Sequence, residues 1–182
     1  MIRLKSLLME ISMQGLTPYA TSFQWRLFSN SHMYDKSLNS FFETKVTIDD
    51  AILNMTMVRD DPYSETSDWT FSFFLPDKHN PGRFTYNKLD ADTPADTSYL
   101  RIMLTCAYAI RDFADTHDAN QIDVSGFDSG AGKSAQKTRI YHALLNSNKH
   151  MFADFDIQKS FTGHLFLIRK QQADSTGIKD AP

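Results

Sequence analysis

The most chemically loaded stretch of the chain is Gly126-Phe127-Asp128-Ser129-Gly130-Ala131-Gly132-Lys133-Ser134, whose ending supplies the residue types of a phosphate-binding loop. Such a loop curls its backbone N–H groups around the phosphates, which requires a glycine five residues before the last one. Phe127 occupies that position, and starting from Gly126 makes the loop one residue too long. Nucleotide binding is therefore the weakest functional reading, and a turn before a helix capped by Ser134 or a neighbour is the plain one. Tyr141 on that helix offers a phenol able to donate a proton, and equally a ring that fills a core at helical spacing. Lys133, Lys137 and Arg139, with Lys149 beyond, make a basic patch suited to a phosphate or an acidic partner, and an ordinary solvated face has the same composition. His32, His79, His117, His142, His150 and His164 have no spacing that puts two on one helical face with a carboxylate, so no metal site is expected.

A chain of 182 residues with 41% hydrophobic and 23% charged residues has the length of one domain and enough apolar surface to build a core. A net charge of -3 gives no overall attraction to nucleic acid or anionic membrane. Cys106 is the single cysteine, so no internal disulfide is expected and a cytosolic setting is favoured. No apolar stretch approaches the length that spans a bilayer. The first residues, Met1 to Ile11, are basic and place Leu4, Leu7, Leu8 and Ile11 on one helical face. They lack the uninterrupted apolar region and small-residue cleavage site of a secretory signal.

The elements that must position these groups follow from periodicity. Residues 15–39, rich in Ser, Thr and Asn, read as an irregular arm. Residues 41–48, 52–58 and 69–75 read as strands of an antiparallel meander, with a turn at Asp49-Asp50. A long polar loop over 76–98 leads to the clearest helix, with Ser98 as N-cap and a stripe of Leu100, Met103, Leu104, Ala107, Tyr108, Ile110 and Phe113. A strand over 121–127, a helix over 133–146 and strands over 152–157 and 164–168 complete the pattern. The expected organisation is a leader and arm over 1–40, an α/β (α+β) domain with a mixed sheet over 41–170, and a disordered tail over 171–182.

This β-β-β-α-β-α-β-β order resembles the core of the GNAT acetyltransferases over about 41–170. Those enzymes often carry Leu-Tyr-x-x-Leu on the second helix, where this chain has Ile140-Tyr141-His142-Ala143-Leu144. The resemblance implies acetyl-CoA as cofactor and Tyr141 as general acid for the departing thiolate. The chain departs from the family at the pyrophosphate loop, because Leu89 to Ser98 has no glycine and carries Asp90, Asp92 and Asp96. Carboxylates there compete with a phosphate for the positive end of the helix. The expectation is a retained fold without a cofactor site.

Arg139-Ile140-Tyr141 followed by a leucine pair, after a strand and a polar loop, is similar to small proteins of large tailed bacteriophages. Their basic leaders often end in Leu-x-Glu, as Leu8-Met9-Glu10 does. The resemblance implies cleavage after Glu10 during particle maturation, and a place in the host cytoplasm or the virion. The leading expectation is thus a non-catalytic phage accessory or virion-associated protein that binds a protein partner. The alternative is an acyl-CoA-dependent N-acetyltransferase.

Overall fold

The computed structural model describes residues 16–28, 41–49, 51–59, 68–80, 84–85, 98–124, 134–159 and 165–170. Its strands are β1 (Arg26–Phe28), β2 (Phe41–Ile48), β3 (Ala51–Arg59), β4 (Asp68–Pro76), β5 (Phe84–Thr85), β6 (Gln121–Asp123), β7 (Phe155–Lys159) and β8 (Leu165–Arg169). Helix α1 (Tyr99–Thr116) joins β4 and β5 to β6, and helix α2 (Ser134–Ser147) joins β6 to β7. Seven strands form one mixed sheet in the order β1-β2-β3-β4-β6-β8-β7, while β5 pairs with β4 off this path. The pairing of β4 with β6 is parallel and the other pairings are antiparallel.

The meander forms as its alternation dictates. Ile48 pairs with Ala51 across a two-residue turn, and Asp49 adopts φ 51°, a left-handed conformation that aspartate tolerates better than most residues. Trp69, Phe71, Phe73 and Leu75 share one face of β4 and are buried with Leu53, Met55 and Met57 of β3. Both helices lie on that face: Phe113 of α1 meets Trp69, and Tyr141 of α2 meets Phe73.

Helix α1 begins where its cap predicts, with Ser98 Oγ accepting from the Arg101 N–H at 3.4 Å. Ile102, Met103, Cys106, Ala109, Ile110 and Phe113 bury its inner face. No described helix is long and apolar enough to cross a membrane.

The arm departs from its expected irregularity. Arg26–Phe28 is a strand on β2, and Tyr19 and Trp25 dock on α1. The Tyr19 N–H donates to Thr105 Oγ1 at 2.9 Å, Arg101 Nε donates to Thr17 O at 3.0 Å, and Trp25 Nε1 donates to Asp112 Oδ2 at 3.0 Å. These partners lie more than eighty residues away in sequence, so no local pattern in the arm announces them. The strand expected from Phe152 starts three residues later, at Phe155, because Phe152 belongs to the turns after α2 and is buried there, and the last strand starts at Leu165. The leader over 1–11 and the tail over 171–182 lie outside the described residues.

Candidate functional site at the parallel strand pair

Among the described residues, the β4–β6 register runs Asp68↔Gln121, Trp69↔Ile122 and Thr70↔Asp123. Strand β4 continues to Pro76, whereas the next residue after β6, Val124, donates its N–H to Leu165 O at 2.8 Å. Among the described residues, the distal half of β4 therefore runs beyond its pairing with β6. Where parallel strands part, main-chain groups and a crevice become available to a ligand, which makes this the first place to look for a site.

The core side of the notch is occupied by side chains. Phe71, Phe73 and Leu75 of β4 are buried, as are Leu144 and Leu145 of α2. Tyr141 is only 3% exposed, and its ring stands edge-on to Phe73 with centroids 6.3 Å apart. A phenol at this position can act on a substrate only if the surrounding packing opens. Cys106 is fully buried on α1, and burial pushes its thiol well above the ordinary range, which removes it as a nucleophile at neutral pH. Burial, then Cys106, pushes the Tyr99 phenol up to about 12.

The entrance of α1 is also engaged. The Arg101 guanidinium lies 3.9 Å from the centre of the Tyr19 ring, and the Tyr19 hydroxyl donates to Asp49 Oδ2 at 3.2 Å. Burial and then the Asp49 charge raise the Tyr19 phenol above its ordinary value. A cation and a ring from the arm thus cover one side of the first turn of α1.

The residues singled out in sequence do not all meet here. Tyr141 does. Lys137 and Arg139 lie on α2, whose first described residue is Ser134. Lys133, Glu10, the carboxylates Asp90, Asp92 and Asp96, and the glycine-rich segment before Ser134 lie outside the described residues. His142 is exposed on α2 with Asn146 Nδ2 3.2 Å from its ring nitrogens. Among the described residues, no three of His, Cys, Asp and Glu converge as metal ligands.

Two clusters escaped sequence reasoning. Trp25, Phe42, Trp69 and His117 surround Phe113, with ring centroids 5.0, 5.4, 4.9 and 4.4 Å from it. His117 Nε2 and Trp69 Nε1 are buried there without a hydrogen-bond partner. Burial lowers the His117 pKa despite the Asp112 charge, so the neutral ring is the form this packing selects. The second cluster joins Arg169, Asp154, Arg111 and Asp115 at the far end of α1. The only hint in the sequence was the spacing of Arg111 and Asp115, four apart on one helical face.

Comparison of the chain with protein-family models, curated proteins and solved structures returned no match.

Proposed function

We propose that this chain is a non-catalytic binding protein on a degenerate acetyltransferase-like scaffold, an accessory or virion-associated protein of a tailed phage. The observation that carries this reading is the burial of Tyr141 against Phe73 in the core on β4, where an acyltransferase would need a reachable phenol. The engaged entrance of α1 supports it, since Arg101 reaches back to the arm at Thr17 and Tyr19 instead of standing free for a phosphate. Its partner is a protein.

A thermal melt with acetyl-CoA tests this reading. The melting temperature is expected to stay unchanged at millimolar cofactor. A ligand held at a hundred times its dissociation constant would instead stabilise the fold by about 2.7 kcal/mol. That corresponds to a rise of about 5–10 °C for a chain of this size, and such a rise would replace the scaffold reading with a cofactor-binding one.

One observation favours that second reading, an acyl-CoA-dependent N-acetyltransferase: among the described residues, β4 and β6 pair in parallel over three positions while β4 runs on to Pro76. In that case Tyr141 is the general acid, and α2 must shift to expose it. The phage assignment has its own measurement. Intact mass of the protein from purified particles is expected to correspond to a chain starting at Ile11, cut after Glu10, and an uncut leader there would remove the packaging part of the proposal.

A further inference from the structure

Among the described residues, one edge of the sheet is only half covered. Strand β1 pairs with β2 only at Arg26↔Glu43, Leu27↔Phe42 and Phe28↔Phe41, and before Arg26 the chain leaves the edge. Strand β2 continues to Ile48. In a hairpin closed by two residues, the flanking pair exchanges both hydrogen bonds, so Ile48 points its N–H and C=O at Ala51 of β3. Alternation then turns the main-chain groups of Glu43, Lys45 and Thr47 away from β3. Glu43 faces Arg26 of β1, while Lys45 and Thr47 face outward and have no main-chain partner on that side among the described residues.

A groove of about 620 Å³ runs along this bare stretch, between β2 and the departing arm. Lys45, Val46 and Thr47 form one wall, and Tyr19, Phe23 and Gln24 contribute to the other. Val46 is buried, and Tyr19 and Phe23 pack against the core, so the groove has an apolar side. Lys45 is 57% exposed and is the one charged residue of the lining, in a surface ion pair of 3.3 Å with Glu43. A lysine on a strand edge commonly guards against unwanted pairing. Here the arm stands across the groove from it, so whole-sheet stacking is hindered while a single thin strand can enter.

We infer that this groove takes an extended, acidic segment of a partner protein, added to β2 as a strand. Its backbone would pair with Lys45 and Thr47, a carboxylate side chain would lie beside Lys45 on the outer face, and an apolar side chain would pack between Val46 and Phe23. The inference goes beyond the scaffold reading, because acetyl-CoA binding would change the account of the β4–β6 notch and leave this edge untouched.

The test uses the full chain, labelled with nitrogen-15, and the capped peptide Thr-Val-Glu-Val-Thr as probe. In the free protein the Lys45 and Thr47 amides are expected to exchange rapidly with solvent. Titration should shift those two amides together with that of Phe23, saturate with a Kd below about 1 mM, and protect both from exchange. Replacing the central glutamate of the probe by lysine should weaken binding by roughly tenfold or more. Thr47→Pro removes an N–H that no described main-chain group accepts, and should abolish binding with the melting temperature within a few degrees of the parent. Lys45→Glu supplies the same comparison if the proline variant fails to fold, since Lys45 is exposed and stands outside the core. Amides already protected in the free protein, absence of saturation, or full binding by folded Thr47→Pro or Lys45→Glu would each overturn the inference.

Discussion

Phe113→Ala is expected to lower the unfolding free energy by about 3–5 kcal/mol, the usual cost of truncating a fully buried aromatic ring, and to lower the melting temperature by about 6–20 °C. Phe113 is wholly buried and lies where three parts of the chain converge. Trp25 comes from the arm, Phe42 and Trp69 from the sheet, and His117 from the C-cap of α1 itself. Its removal opens a space walled by rigid rings, which collapse into a cavity less readily than aliphatic chains do. Both tryptophans of the chain touch Phe113, with centroids 5.0 and 4.9 Å away, so their emission reports on the same spot. A red shift of native-state emission should therefore accompany the loss measured by urea unfolding. Trp25→Phe is the milder comparison, because it keeps a ring against Phe113 and loses the hydrogen bond to Asp112, worth about 1 kcal/mol. A loss below 1 kcal/mol for Phe113→Ala, with unshifted emission, would mean that the arm does not close over this cluster.

Local regularities made the scaffold legible in sequence, and distant pairings hid the rest. The stripe from Leu100 to Phe113 and the Ser98 cap are short-range signals, and α1 begins and packs accordingly. The antiparallel meander followed from alternation in 41–48, 52–58 and 69–75 and from the turn at Asp49, all within neighbouring segments. Strand β1 has no such signature. Arg26-Leu27-Phe28 does not alternate in a way that marks a strand, and becomes one only because the edge of β2 lies beside it. Tyr141 could be read as a core ring from its helical spacing, and it is buried. Which residue of β4 it would meet depended on how α2 packs across the sheet, a long-range placement that composition does not show.

The bare edge at Lys45 and Thr47 is an instructive intermediate case. Which main-chain groups point outward follows from the parity of the hairpin and was available from the sequence once the turn was placed. Which of them remain open depends on where β1 leaves β2, a property of the arm's attachment to α1 through Tyr19 and Trp25. The same contacts that hide Phe113 from solvent therefore hold the arm away from β2 and keep the groove open. Loosening the cluster should alter the edge, whereas trimming the edge should leave the cluster intact.

Arg169→Ala carries the other large expected effect, a loss of about 2–4 kcal/mol, since hydrogen bonds from a charged donor contribute about 1.5–3 kcal/mol. Arg169 stands at the end of β8, where a charged residue looks like ordinary surface. Its guanidinium instead donates from Nη2 to Ala114 O at 2.8 Å and from Nε to Ala119 O at 3.2 Å, tying the end of α1 and the link to β6 onto β8. It also lies 4.8 Å from the centre of the Phe155 ring and 3.5 Å from Asp154, which binds Arg111 as well. Arg169→Lys should recover only part of the loss, because an ammonium cannot span both carbonyls as the planar fork does. The pH dependence separates the carbonyl ties from the ion pairs. Burial alone would raise the Asp154 carboxyl, but the hydrogen bond and charge of Arg111, with Arg169 behind, hold it below the usual carboxylate range. A carboxyl depressed in the folded state stabilises above its unfolded value of about 3.9, and that contribution disappears as pH falls through the folded value. The deficit of Arg169→Ala should thus be level from pH 8 to 5, and most of it should persist in stronger acid, where pH falls through the depressed folded value and Asp154 takes up its proton but the two carbonyls still need their donor. A deficit that vanished in acid would assign the hold on α1 to the Asp154 pairs and not to the carbonyls of Ala114 and Ala119.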